Sequence, residues 1–133
     1  MRPTTVDAIV IEQNKLLLVK RGIEPFINCW ALPGGFVEDN ETVEQAVVRE
    51  AKEETGVDVK PIKLLGVYSS PKRDVRKTIA VAFLCEKLGG ETKGNDDASE
   101  AGWFPIENLP KLAFDHDEIV RDALFRSKKL RYK

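Results

Sequence analysis

Apolar positions along the chain fall into short runs separated by polar stretches. Residues 6–11 are apolar except Asp7, and residues 16–19 form a second apolar run. The polar stretch Glu12-Gln13-Asn14-Lys15 lies between them, so the pair predicts a hairpin. Residues 20–28 are mixed, contain Pro25 and read as a loop, and Pro33-Gly34-Gly35 marks a turn with special backbone angles. Residues 41–55 carry the clearest helical pattern, with Asn40 as the expected N-cap and Gly56 as the stop. Residues 61–68 and 78–85 read as strands joined by a charged loop that contains Pro71. Residues 88–101 are polar and glycine-containing, with room for a short strand, and Trp103-Phe104-Pro105 starts a final strand or turn.

A closing helix is expected over 115–127, with Ile119, Val120, Ala123 and Leu124 on one face; Asp115 and Glu118 are spaced like a capping box. Strands, a helix, more strands and a second helix predict a mixed α/β sandwich with the sheet between helices, not a regular βαβ array.

Composition narrows the classes. A chain of 133 residues without repeats or a Pro/Ser-rich linker reads as a single domain, 1–133. Its 21 basic and 22 acidic residues give a net charge of −1, so no whole-domain cationic field for nucleic acid is expected. The sequence has neither an apolar run long enough to span a membrane nor a signal-peptide pattern. Two cysteines and one histidine make no disulfide framework or zinc set and fit a cytoplasmic setting.

The helix over 41–55 carries the candidate chemistry. On a helical wheel Glu50, Glu53 and Glu54 continue the apolar stripe of Val43, Ala46 and Val47, whereas Gln45 and Lys52 lie opposite. Acids crowded at such spacing repel one another. They also sit at the helix's C-terminal end, where the macrodipole disfavours negative charge. A hard divalent cation with oxygen ligands, Mg²⁺ or Mn²⁺, would account for both features.

Residues 35–57 read G-x5-E-x7-R-E-A-x-E-E-x-G-V, through Gly35, Glu41, Arg49, Glu50, Glu53, Glu54, Gly56 and Val57. This resembles the Nudix box, the signature of hydrolases acting on a nucleoside diphosphate linked to another moiety. The seven fixed identities other than Val57, at background frequencies of ~6–7% each, predict well under ~10⁻⁶ chance matches in a chain of this length. One departure is Ala51, where the family usually has a larger aliphatic.

The resemblance implies the Nudix fold, a mixed β-sheet sandwiched between α-helices. It implies metal ligation by Glu50, Glu53, Glu54 and the Gly34 carbonyl, with Glu53 and Glu50 as catalytic carboxylates and Arg49 orienting a glutamate. Glu41 would brace the loop–helix junction, and Gly35 and Gly56 would permit turns that a Cβ blocks. In such chemistry the cation neutralises phosphate oxygens and a carboxylate takes the proton of the attacking water.

Further stretches are similar to the ADP-ribose pyrophosphatase-like branch: residues 21–26, 30–38, 68–74 and 109–116. That likeness marks Arg21, Phe26, Trp30, Pro71 and Arg73 as substrate-binding candidates, the aromatic ones by stacking on adenine. Core packing is the competing role for Phe26, Trp30 and Trp103, and loop shaping for Pro71. His116 reads as a capping or packing residue, and Asp97 and Glu100 are candidates for an additional acid. The implied reaction is hydrolysis of ADP-ribose to AMP and ribose 5-phosphate. The alternatives are a MutT-like nucleoside triphosphate pyrophosphohydrolase and a non-catalytic nucleotide-sensing module; the intact box glutamates favour catalysis. The partner expected is a small-molecule nucleotide, with neither nucleic acid nor membrane, and a homodimer is the family-level expectation.

Overall fold

The structure, a computed structural model, describes residues 1–92 and 98–131. Strand β1 (Thr4–Glu12) turns through Gln13 and Asn14 into β2 (Lys15–Arg21). Both turn residues have positive φ, 50° and 61°, the handedness that a twisted two-residue hairpin requires. Two short strands follow, β3 (Trp30–Ala31) and β4 (Gly34–Phe36), then helix α1 (Val43–Thr55). Long strands β5 (Val57–Tyr68) and β6 (Ile79–Gly90) precede β7 (Ala98–Pro105), a 3-10 turn (Ile106–Asn108) and helix α2 (His116–Arg131).

The sheet is mixed. Its order is β3-β2-β1-β6-β5, with β4 added on β1 and β7 on β2. The β1–β6 pair is parallel, Thr4 opposite Ile79 through Val10 opposite Cys85. The other ladders are antiparallel. Alternation along β1 feeds two cores. Val6, Ala8 and Val10 pack with Ala46, Val47 and Ala51 of α1. Ile9 packs on the other face with Ile119, Val120 and Ala123 of α2. The sheet therefore lies between the two helices, as expected.

Several boundaries differ from the sequence reading. The N-cap of α1 is Thr42, not Asn40. Its hydroxyl accepts the Gln45 N–H (3.1 Å) while the Gln45 side chain accepts the Thr42 N–H (2.9 Å), a complete capping box. Gly56 ends the helix in the left-handed region, φ 79°. Strand β5 starts at Val57, directly after that glycine, and β6 runs on to Gly90 because Gly89 and Gly90 pair with Asp58 and Val57. Cross-strand pairing thus carries β6 into the polar stretch beyond the predicted end at Cys85. Trp103-Phe104-Pro105 closes β7 instead of opening a strand. Among the described residues no helix is long and apolar enough to cross a membrane.

Candidate active site

The acidic end of α1 faces the β3–β4 turn. Glu54 is buried, 9% exposed, and its Oε1 accepts the Gly34 N–H at 2.7 Å. Burial pushes its carboxyl up to about 8; the Gly34 hydrogen bond opposes this and the charge of Glu50 adds to it.

Arg49 organises the other acids. It grips Glu41 with two bonds, Nε to Oε2 at 2.9 Å and Nη2 to Oε1 at 2.6 Å. Nη1 reaches Glu50 (2.8 Å) and Glu53 (3.0 Å), and Nη2 donates to the Phe36 carbonyl (3.1 Å). Glu41 also accepts the Glu38 N–H at 2.9 Å, which ties the loop to the helix start. The Arg49 hydrogen bonds, chiefly, hold the Glu41 carboxyl down at about 2.

The box glycines act through space. Gly34 and Gly35 lie in β4 and neither has positive φ, so the special backbone angles expected of this Pro-Gly-Gly stretch are absent. A Cβ on Gly35 would lie 2.7–2.8 Å from the carboxyl atoms of Glu50. A Cβ on Gly34 would run into the Val6 carbonyl oxygen and stand 2.8 Å from Asp7 Oδ1. Helix, turn and β1 are therefore in close contact at this point.

Beside the turn opens a cleft. Its outer part, about 210 Å³, is lined by Glu50, Glu54, Gly34, Gly35, Arg21 and Arg76 among others. A narrower inner part adds Asp7, Arg73, Asp74, Thr78, Phe114 and His116. Arg76 lies over both the Phe36 ring (5.1 Å) and the Phe114 ring (5.6 Å) and is held by Asp74 (2.8 Å). Burial pushes the Asp74 carboxyl up, but the Arg76 and Thr78 hydrogen bonds prevail and hold it low. Arg21 donates to the Pro25 carbonyl (2.6 Å) and stacks over Phe114 (5.0 Å).

The expected site residues divide. Glu50, Glu54, Gly34 and Arg21 line the outer cleft, and Arg49 and Glu53 stand behind Glu50. Among the described residues no three acids, histidines or cysteines converge as a metal group, because Glu50 and Glu53 are turned onto Arg49.

Arg73 lines the inner cleft, but its guanidinium is committed to Asp115 (2.7 and 2.9 Å) and Thr78. Asp115 stands at the cap position expected of it, its backbone carbonyl accepting the Glu118 and Ile119 N–H groups, but its carboxylate serves Arg73. Trp30 packs edge-on against Phe104 beside the α2-side core, a placement that fits packing. Phe26 packs against Phe114 at 4.8 Å, outside the cavity walls. Pro71 is exposed in the β5–β6 loop, which fits loop shaping. Glu100 pairs with Lys20 across β7 and β2 (3.4 Å), and Asp97 lies outside the described residues.

Asp7, Asp74, Thr78 and Phe114 were not singled out as site residues in the sequence. Asp7 carried a signal all the same: a lone acid at an inward position of an alternating apolar strand must find a buried use.

A carboxylate-bearing helix end stands against the glycines of β4 at the mouth of a cleft lined by arginines, an arrangement suited to a pyrophosphohydrolase. The chain belongs to the Nudix family: the NUDIX domain model matches residues 1–123. It is 58% identical over 120 residues to an ADP-ribose pyrophosphatase of Methanocaldococcus jannaschii, spanning 90% of this chain and 71% of that protein. The NUDIX domain of Shewanella oneidensis NrtR, solved with ADP-ribose, superposes with a TM-score of 0.84 at 31% identity, over 95% of this chain and 88% of that one. A bifunctional NMN adenylyltransferase/ADP-ribose pyrophosphatase of Francisella tularensis, solved with AMP and a manganese ion, gives 0.82 at 32% identity, over 95% of this chain and 42% of that one.

Proposed function

We propose that the protein hydrolyses the diphosphate link of ADP-ribose to AMP and ribose 5-phosphate, in the cytoplasm, with Mg²⁺ or Mn²⁺ as cofactor. The observation that carries the substrate is the 58% identity to the archaeal ADP-ribose pyrophosphatase.

The residues fit a hard cation. Among the described residues, the side chains lining the outer cleft that could ligate an ion do so through oxygen: Glu38, Glu50, Glu54 and Thr5. Burial disfavours the Glu54 carboxylate more than the Gly34 N–H and the charge of Arg21 favour it, so an added positive charge would stabilise its ionised form. Glu50, Glu53, Glu54 and the Gly34 carbonyl would hold the ion. When bound, it neutralises phosphate oxygens and acidifies water. Arg49 Nη1 holds both Glu50 and Glu53, so a cation would draw these carboxylates off the guanidinium toward the turn, and one of the two would take the proton of the attacking water. Arg21 and Arg76 line the same cleft and supply positive charge for the substrate's anionic parts.

Hydrolysis in ¹⁸O-labelled water tests the reading. Label in a phosphate of AMP or ribose 5-phosphate is the expected result; free ADP with label on ribose overturns it. Substrate profiling separates the neighbouring readings. Preference for a nucleoside triphosphate makes the protein a nucleotide-pool enzyme, and tight binding of ADP-ribose without turnover makes it a sensor.

A further inference from the structure

Residues 109–116, Leu-Pro-Lys-Leu-Ala-Phe-Asp-His, have no part in the reaction described so far, yet they end directly beneath the glycine turn. His116 is the first residue of α2 and is 4% exposed. Its Nδ1 accepts the Leu32 N–H at 3.0 Å. Leu32 lies between β3 and β4, where its buried N–H needs an acceptor, and the ring supplies it. A ring nitrogen that accepts carries no proton, so the imidazole is neutral with hydrogen on Nε2. Nε2 faces Asp7 Oδ1 at 3.4 Å, a close polar contact between a neutral ring and the carboxyl and not an ion pair.

Asp7 stands opposite Gly34 in the β1–β4 ladder and so close that Gly34 has no room for a Cβ. Its Oδ2 is buried without a hydrogen-bond partner. Leaving such an atom unpaired costs free energy, which argues that this carboxyl is kept for its place between the ring and the turn. The backbone is stitched on both sides: the Ala8 N–H donates to the Pro33 carbonyl and the Ala113 N–H to the Trp30 carbonyl, both at 2.8 Å. The histidine itself is anchored by the Arg73–Asp115 pair just before it and by Ile119 and Val120 buried just after it.

We propose that His116 is a positioning residue for the metal-binding turn: through Leu32 on one side of its ring and Asp7 on the other, it fixes where the Gly34 carbonyl points. The proposal rests on the pyrophosphohydrolase reading above. The turn is then gripped from both faces of the sheet, by Glu54 of α1 at the Gly34 N–H and by His116 of α2 at the Leu32 N–H. His116 is not a general base, since neither ring nitrogen opens to the outer cleft.

The chain has a single histidine, so ¹⁵N-imidazole NMR of the native protein reads this ring alone. The expected spectrum is that of the Nε2–H tautomer; an Nδ1–H tautomer, or rapid averaging of the two, overturns the proposal. Two variants extend the test, with Mn²⁺ binding followed by EPR and folding by circular dichroism. His116→Phe removes the acceptor and is expected to weaken Mn²⁺ binding and lower kcat on ADP-ribose by roughly tenfold or more, with KM little changed. His116→Asn, whose amide oxygen can accept the Leu32 N–H, is expected to recover most of both. A folded His116→Phe that binds Mn²⁺ like the parent overturns the proposal. If His116→Phe does not fold, the native tautomer decides. Failure of the parent protein to bind Mn²⁺ or to hydrolyse any nucleoside diphosphate compound would instead sink the enzymatic reading, and the tautomer is measured independently of it.

Discussion

At the scale of single residues, the two glycines that open β4 are constrained by different neighbours. A Cβ on Gly34 meets backbone, the Val6 carbonyl, which can move only if β4 separates from β1. Gly34→Ala is therefore expected to lower stability by about 2 kcal/mol or more, read as a drop in Tm. A Cβ on Gly35 meets the far end of the Glu50 side chain, which can swing away. Gly35→Ala should keep a Tm near the parent's and still lose most of its turnover; equal losses of Tm in both variants would contradict this contrast. Glu54→Gln tests the buried acid. Burial raises the metal-free Glu54 carboxyl to about 8, so it is largely neutral at pH 7, and the amide oxygen of the variant can keep the Gly34 N–H bond. The metal-free variant should melt no lower than the parent, with kcat down by roughly a hundredfold or more, whereas full turnover would remove Glu54 from the machinery.

At the scale of elements, α1 was the most legible part of the chain. Its apolar spacing and Gly56 located it, and the wheel placed Glu54 toward the core, where it is buried. The cap was misread because Asn40 and Thr42 are both good N-cap residues, and only the reciprocal bond from Gln45 selects Thr42. The strands that flank polar stretches were least legible, since β5 and β6 extend one another by pairing. Within the site, the box residues follow from local spacing. Arg73, Asp115 and His116 acquire their roles from partners 42 and 84 residues away in sequence, which spacing cannot disclose.

The Glu41–Arg49 brace makes a further expectation at this scale. Glu41 titrates at about 2 in the fold against an ordinary 4.5, so the unfolded chain binds more protons in that interval. Its stabilisation is present above pH 4.5 and is lost as pH falls toward 2. Glu41→Gln should therefore flatten the acid limb of a stability-versus-pH curve, and identical limbs would show that the brace contributes nothing there.

At the scale of the whole molecule, the question is what the cleft needs in order to work. Oxygen donors dominate it, so rigorous chelation should abolish hydrolysis and Mg²⁺ or Mn²⁺ should restore it. Activity that survives complete metal removal, checked by elemental analysis, would exclude a cation-dependent reaction. The two-helix sandwich was foreseeable from the order of elements, but the depth of the cleft was not. Its inner wall draws on β1, the β5–β6 loop and the start of α2, which meet only when the sheet is complete.

The parallel pairing of β1 with β6 sets a condition on synthesis and folding. Thr4 meets Ile79, and β5 is paired to the sheet through β6 alone among the described ladders. A nascent chain that has emerged as far as Val57 already carries the whole box, but Phe83 and Cys85, which complete the core under α1, are still to come. Closing so long a loop is entropically slow and is rewarded only at the end. The signature is thus written early in translation, whereas the chemistry it encodes waits for the second half of the polypeptide.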